Sequence, residues 1–95
     1  MTPSFSVHPS SHYQRLSTKL QRRHRDFEGA EQNAVAIFSA DPYNRSRGHN
    51  IKKLEDVPPG AGQYRLSLGR WRFRYDIIGR VVLLTYCGLR RESAY

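Results

Sequence analysis

The chain has a single cysteine, no long apolar run and few acidic residues. Because Cys87 stands alone, it cannot form an intramolecular disulfide, and we expect a protein of a reducing compartment, the cytoplasm. No segment approaches the roughly 18 consecutive apolar residues that a membrane-spanning helix needs. The opening residues MTPSFSVHPSS also lack the basic and apolar regions of a secretory signal. We therefore expect no membrane association.

The sequence also lacks the motifs that bind metals and nucleotides. His8, His12, His24 and His49 belong to no H-x-E or C-x-x-C motif, and there is no Walker or G-x-G-x-x-G loop. We therefore expect neither a metal nor any other cofactor. His49, in an arginine-rich loop, is the histidine best placed to touch a substrate. Cys87 lies in an apolar run and is more typical of a buried hydrophobe than of a catalytic thiol.

Acidic residues are fewer than basic ones. Eight Asp and Glu stand against sixteen Lys and Arg, which gives the 95 residues a net charge of +8. An excess of this size predicts a polyanionic partner, either nucleic acid or an acidic protein. The alternative is a basic surface that only keeps the protein soluble. Most of the cations are arginines, whose guanidinium binds phosphate or carboxylate through two N–H groups, and this favours the partner.

The first forty residues predict a strand and two helices. Phe5 to His8 lies between two prolines and suits an edge strand. Ser10 is a good N-cap for a first helix, whose apolar stripe consists of Tyr13, Leu16, Leu20 and Phe27. After a break around 26–29, a second helix is predicted over 31–40, with Ala34, Ile37 and Phe38 facing inward. Pro42 ends it, since the residue before a proline avoids the helical region.

The last third of the chain predicts three strands in succession. Apolar residues alternate with polar ones over 64–68 and 71–77, and Val81 to Leu84 is an apolar run suited to a strand covered on both faces. One face of the second strand is aromatic, and the other carries Arg70, Arg72 and Arg74. We expect the aromatic residues, and also Tyr64 and Tyr86, to belong to the core.

These elements predict one α+β domain over residues 1–95. Its two layers are a helical hairpin and an antiparallel sheet of about four strands, in the order β-α-α-β-β-β. The hairpin covers the aromatic face of the sheet, and the basic face is expected to be exposed. Residues 51–54 form a short ordered piece before the sheet. The function is expected at the basic face.

Four segments resemble those of a known family in their order and spacing: DPYN, IKKL, YRLSLGRWRFRY and GLRRESAY. They are similar to segments of the RelE/ParE superfamily of type II toxin–antitoxin toxins. The match is close over 41–95 and extends only to the general pattern over the first forty residues. RelE-like members are ribosome-dependent endoribonucleases that cleave mRNA. ParE-like members keep the fold but inhibit DNA gyrase without catalysis.

The resemblance implies a set of site residues. Arg65 and Arg72 stand where RelE-like toxins place basic residues on adjacent strands, Arg90 or Arg91 at the arginine of the terminal motif, and Tyr95 at its tyrosine. This set favours the endoribonuclease branch over the gyrase inhibitor. The sequence departs from the family at Ser67 and Leu89, which can be basic in RelE-like enzymes. The resemblance also implies a cognate acidic antitoxin and a hetero-oligomer with it.

The chemistry expected of this set is metal-independent cleavage by the 2′-hydroxyl of the RNA. Arg65 and Arg72 would stabilise the phosphate and transition state, and Arg90 the leaving group. Tyr95 would stack on a base or take the proton. We expect the remaining basic residues to bind RNA: Lys52, Lys53, Arg70, Arg74 and Arg91. The alternative for Arg65 and Arg72 is a structural role, bonded to carboxylates such as Asp76.

Overall fold

The structure, a computed structural model, describes residues 5–90. The elements in chain order are β1 (Ser6–Pro9), α1 (Ser11–Arg23), α2 (Phe27–Ala40), β2 (Ile51–Lys53), β3 (Tyr64–Leu68), β4 (Trp71–Ile78) and β5 (Val81–Leu89). The two helices pack on one face of a single five-stranded sheet. The predicted α+β class and the order of its elements are confirmed. No helix within residues 5–90 has the length and apolar character needed to cross a bilayer.

The strands lie in the order β1-β5-β4-β3-β2. All neighbours from β2 to β5 are antiparallel, whereas β1 runs parallel to β5, with Ser6 opposite Val81. The sheet has one strand more than expected because Ile51–Lys53, the short ordered piece of the sequence, pairs with β3. The N-terminal strand lies at an edge, as its flanking prolines predicted.

The two helices begin and end at recognisable residues. The Ser10 side chain accepts a hydrogen bond from the Tyr13 amide at 3.1 Å, so Ser10 is the N-cap of α1 as predicted. Helix α2 starts at Phe27, earlier than the predicted Glu31, because the break between the helices is confined to 24–26. Phe27 therefore belongs to α2 and not to the apolar stripe of α1. Asp41 ends α2 before Pro42, as predicted.

The core lies between the helices and the aromatic face of β4. Phe27 is fully buried, and its ring centroid lies 5.0 Å from that of Trp71 and 6.0 Å from that of Phe73. Phe38 of the same helix packs on Tyr75 at 4.5 Å. The expectation that the β4 aromatics form the core is therefore confirmed. The buried apolar residues are Tyr13, Leu20, Phe27, Ala34, Phe38, Leu66, Trp71, Phe73, Tyr75, Val82, Leu84 and Cys87.

Strand β5 differs from its sequence-based prediction. It continues to Leu89, and its first half alternates between buried residues, such as Val82 and Leu84, and half-buried ones, such as Val81 and Leu83. A strand covered on both faces would bury all four. The helices cover only one face of this strand, so the apolar run does not reflect burial on two sides.

Candidate functional site

The sheet face turned away from the helices carries a row of cations that crosses three strands. Lys52 of β2 lies opposite Arg65 of β3, and Arg65 lies opposite Arg74 of β4. Residues directly opposite in an antiparallel pair have Cβ atoms about 5 Å apart, and like charges in such pairs repel. The cation row, as we call Lys52, Arg65 and Arg74, thus concentrates three positive charges within a short distance.

Arg65, in the middle of the cation row, has an unsatisfied donor. Its Nε atom is buried and makes no hydrogen bond. Within residues 5–90 no carboxylate forms an ion pair with Arg65, so the alternative of a structural ion pair with a residue such as Asp76 is not observed there. A buried donor without a partner costs about 1–3 kcal/mol. Arg65 therefore lies in an environment that an anionic ligand would improve.

Arg72 lies closer to the turn that joins β3 and β4. It stands opposite Ser67 on one side and Gly88 on the other. Its Nη1 atom donates hydrogen bonds to the carbonyl oxygens of Gly69, at 2.7 Å, and Trp71, at 2.9 Å. The guanidinium is thus positioned by backbone oxygens of the turn, and Arg72 lies diagonally from Arg65 on the same sheet face.

Arg90 follows directly after β5 at the same turn. Its amide donates to the carbonyl oxygen of Arg70 at 2.8 Å, and its side chain is exposed. An opening of about 540 Å³ is lined by Gly69, Arg70, Leu89 and Arg90. Arg72 and Arg90, which the resemblance assigned to one site, therefore flank one turn. Arg91 and Tyr95, the other residues of the terminal motif, lie outside the described residues.

Arg70 does not share the exposed face with Arg72 and Arg74, contrary to the prediction. Its guanidinium donates to both carboxylate oxygens of Asp26, at 2.6 and 3.1 Å, and lies 4.9 Å from the Trp71 ring centroid. Arg70 and Gly69 form the two-residue turn between β3 and β4, so strand alternation does not extend to Arg70. We therefore assign it a structural role, linking the turn to the loop between the helices.

The pKa of Asp26 is lowered to about 2. The main cause is the hydrogen bonding from Arg70, and the hydrogen bond from the Trp71 indole adds to it. The pair is about half exposed, so the link is a surface contact.

The far half of the basic face is covered, which the sequence did not predict. Asp76 is almost fully buried and accepts hydrogen bonds from the amides of Gly62 and Gln63, both at 3.0 Å. These bonds fasten loop 57–63 onto the sheet. Gly62 lies so close to Thr85 and Arg74 that a side chain would clash there, and its carbonyl accepts two hydrogen bonds from Arg74. The open part of the face is therefore the end that bears Arg72 and Arg90.

Tyr86 is a candidate site residue that the sequence analysis assigned to the core. A β-bulge interrupts β5, so that Tyr75 pairs with Leu84 whereas Arg74 pairs with Tyr86. The extra residue turns Tyr86 onto the basic face. Its ring lies across Gly88, where it would collide with any added Cβ atom, and Gly88 is opposite Arg72. Simple alternation along VVLLTYCGL gives no sign of the bulge.

The two lysines of β2 have different surroundings. Lys52 belongs to the cation row, as its predicted RNA-binding role requires. Lys53 pairs with Tyr64, and its Nζ atom lies 5.8 Å from the Tyr64 ring centroid. Tyr64 in turn stacks on the buried Tyr75 at 5.5 Å. Lys53 is exposed at the edge of the sheet, beside the core-facing aromatics.

Neither the histidines nor the cysteine forms a reactive centre. His49 lies 3.8 Å from Asp41, and its backbone bonds to the Asn44 side chain, so it belongs to the structure of its loop. His8 and His12 are spaced as H-x₃-H, but they lie on β1 and α1. Within residues 5–90 no three His, Cys, Asp or Glu side chains gather as a metal site would require. Burial raises the pKa of Cys87 to about 12, so its thiol is not a nucleophile at neutral pH.

Comparisons of the chain with protein-family models, with curated proteins and with solved structures gave no match.

Proposed function

We propose that this protein is a RelE-like toxin of a type II toxin–antitoxin pair, an endoribonuclease that cleaves translated mRNA in the cytoplasm. The observation that carries the proposal is the cation row beside Arg72. The row lies on the sheet face turned away from the helices, and its central guanidinium has an unsatisfied buried donor. The similarity of 41–95 to the RelE/ParE superfamily supplies the choice of reaction.

The energetics of the cation row favour a polyanion as its partner. Like charges opposite each other on neighbouring strands destabilise a sheet. A bound phosphate backbone removes this repulsion and offers acceptor oxygens to the cations of the row. A surface that served only solubility would need neither the close spacing nor the buried donor. We therefore assign the face to RNA and not to general solvation.

The proposed reaction is attack of a ribose 2′-hydroxyl on the adjacent phosphate. The new bond joins the 2′-oxygen to phosphorus, the bond to the 5′-oxygen breaks, and that oxygen takes up a proton. Arg65 and Arg72 stabilise the charge that develops on the phosphate oxygens, and Arg90 stabilises the leaving oxygen. These guanidiniums supply the charge that a metal ion provides in other nucleases.

Two tyrosines are candidates for the proton transfers. Tyr95 is the candidate from the terminal motif. Tyr86 is supported by its position across Gly88, which faces Arg72. A phenol beside guanidinium groups is favoured in its ionised form and can then accept the 2′ proton.

We further propose that an acidic antitoxin restrains the enzyme by covering the same cations. A disordered segment rich in Asp and Glu would fold onto the basic face and neutralise it. Binding of this kind would compete with RNA directly and would produce the expected hetero-oligomer.

The test is primer extension on a translated message after brief induction of the protein. We expect translation-dependent cuts from the wild type, and a loss of about 10²–10³-fold in cutting for Arg72→Ala, the range observed when one transition-state donor is removed. Arg22→Ala is the matched control, because it removes the same charge from the end of α1 and should leave cutting intact.

Tyr86→Phe and Tyr95→Phe identify the proton acceptor, since each keeps the ring and removes the hydroxyl. Intact messages in cells whose growth stops would contradict the proposal and favour gyrase as the target. Cuts that persist in Arg72→Ala would contradict the assignment of the site.

A further inference from the structure

A second basic site lies at the end of the sheet opposite Arg72 and Arg90. A cleft of about 500 Å³ opens between the end of α2 and the turn that joins β4 and β5. This volume is within the range of roughly 300–1,000 Å³ that is typical of ligand pockets. The residues that line the cleft are Phe5, Ala40, Asp41, Pro42, Tyr43, Arg45, Gly79 and Arg80.

The cleft combines aromatic rings with guanidinium groups. Tyr43 is 42% exposed, and Arg45 lies over its face at 5.4 Å. Arg80 lies over the Phe5 ring at 6.0 Å. Both arginines are exposed, and the Asp41 carboxylate on the wall of the cleft already accepts hydrogen bonds from the Arg45 amide and from Ser46. Arg45 and Arg80 thus place two positive charges at the opening of the cleft.

Tyr43 is held rigidly in its exposed position. The rings of Phe5 and Tyr64 meet it edge to face, with centroids 6.1 and 6.0 Å away. The preceding carbonyl, that of Pro42, accepts a buried hydrogen bond of 2.7 Å from Tyr75. A ring that is fixed before binding loses little conformational freedom when a ligand stacks on it.

The loop that follows Tyr43 is equally well defined. Asn44 and Arg47 adopt positive φ angles of 56° and 58°, which are costly for residues other than glycine. The Asn44 side chain both donates to and accepts from the backbone of His49. Burial alone would raise the pKa of Asp41, but its hydrogen bonds from Ser46 and Arg45 outweigh that effect and lower it. Side-chain hydrogen bonds and two residues with positive φ angles thus fix the conformation of the loop that carries Tyr43 and Arg45.

We propose that this cleft binds one unpaired nucleotide of single-stranded RNA. The base stacks on Tyr43 and the Arg45 guanidinium, and the flanking phosphates contact Arg45 and Arg80. Exposed aromatic rings interleaved with arginines are the usual platform for single-stranded nucleic acid. We name the platform by its two central residues, the Tyr43–Arg45 platform.

An acidic peptide is the competing occupant, and the chemistry of the cleft disfavours it. A carboxylate would pair with the arginines but would not stack on the exposed Tyr43 ring. A nucleotide uses both the ring and the charges. Because the ring and the two arginines line the same cleft, one nucleotide can stack its base and bind its phosphates there.

The inference rests in part on the proposed function, because RNA is the substrate there. The cleft lies beyond the Ile78 end of β4, and Arg72 is near the start of that strand. At about 3.3 Å per residue, the two sites are roughly 20 Å apart. The Tyr43–Arg45 platform would therefore hold a part of the RNA some nucleotides away from the scissile bond and would orient it.

The test measures affinity for a short fluorescein-labelled 2′-O-methyl oligoadenylate, which cannot be cleaved because its 2′-oxygens are blocked. We expect Tyr43→Leu to weaken binding by roughly 5- to 150-fold, the effect of losing one stacked base. Tyr43→Phe keeps the ring and should retain affinity within about twofold. Arg45→Gln should weaken binding more than Arg47→Gln, which removes the same charge from the same loop outside the cleft.

Thermal unfolding of each variant establishes that it is folded, and the two arginine variants decide the question if Tyr43→Leu is not. A 4-thiouridine-labelled RNA should also crosslink to Tyr43, as located by mass spectrometry. Equal affinity of Tyr43→Leu and wild type, or equal effects of Arg45→Gln and Arg47→Gln, would overturn the inference. So would an acidic peptide that binds through Tyr43 when the RNA does not.

The outcomes for the two proposals are separable. If Arg72→Ala abolishes cleavage while Tyr43→Leu keeps full RNA affinity, the platform is overturned and the endoribonuclease stands. If RNA binds through Tyr43 but no message is ever cut, the platform stands and the endoribonuclease is overturned.

Discussion

The position of the Tyr86 ring explains why residue 88 is a glycine. The backbone of Gly88 is ordinary strand, so an alanine would fit its conformation, but the Tyr86 ring fills the space where a side chain would begin. The pair lies directly across from Arg72, on the open end of the basic face. A small residue at position 88 therefore keeps a phenol beside a guanidinium.

This contact leads to a prediction about stability. Gly88→Ala should lower the free energy of unfolding by about 1–3 kcal/mol, because the Tyr86 ring must move. In a Tyr86→Ala background the same change should be neutral or slightly stabilising, since alanine is favoured over glycine inside a strand. Urea denaturation of the four proteins of this cycle measures both values. An equal cost in the two backgrounds would show that the ring does not occupy this space.

At the level of elements, the Asp26–Arg70 pair joins the α1–α2 loop to the β3–β4 turn. The Trp71 indole donates to the same carboxylate at 3.0 Å. These contacts hold the helical layer against the end of the sheet where Arg72 and Arg90 lie. A surface ion pair that belongs to neither strand of the site thus lies beside it.

The pH dependence of this link follows from the lowered pKa of Asp26. The carboxylate is favoured in the folded state, so its contribution is complete above the unfolded pKa, near 3.8, and is lost as the pH falls towards about 2. The difference in stability between wild type and Asp26→Asn should therefore be constant above pH 5 and shrink below pH 4. Denaturation midpoints across this range measure it. A difference that stays constant down to pH 2 would contradict the link.

Most of the fold could be predicted from local patterns, and the exceptions share a cause. The Ser10 cap, the end of α2 at Asp41 and the core role of Phe73 follow from the residues nearby. The bulge before Tyr86 could not be predicted, because strand alternation assumes an unbroken register.

The placement of Arg70 in a turn and the covering of the basic face were missed for a related reason. Each depends on a contact between distant segments, Arg70 with Asp26 and Asp76 with loop 57–63. Of the candidate site, alternation correctly predicted that Arg65, Arg72 and Arg74 share a face. It could not predict which end of that face remains open.

For the whole molecule, the net charge of +8 predicts RNA binding that weakens steeply with salt. Each neutralised phosphate on a single strand contributes roughly −0.7 to the slope of log K against log salt. Lys52→Ala and Arg65→Ala should each make this slope shallower by about that amount, as measured by fluorescence anisotropy. Arg25→Ala, on the loop between the helices, should leave the slope unchanged. Slopes that do not distinguish the three variants would contradict a defined phosphate path along the cation row.

The parallel pairing of β1 with β5 has a consequence for how the protein is made. Strand β5 lies between β1 and β4, so the sheet has a gap at that place until β5 has been synthesised. Pairings between the two ends of a chain also form slowly, because a long loop must close first. Gly88 and Arg90 cannot join Arg72 before β5 docks. The sheet face that carries Arg72 and Arg90 is therefore assembled only after β5 has docked.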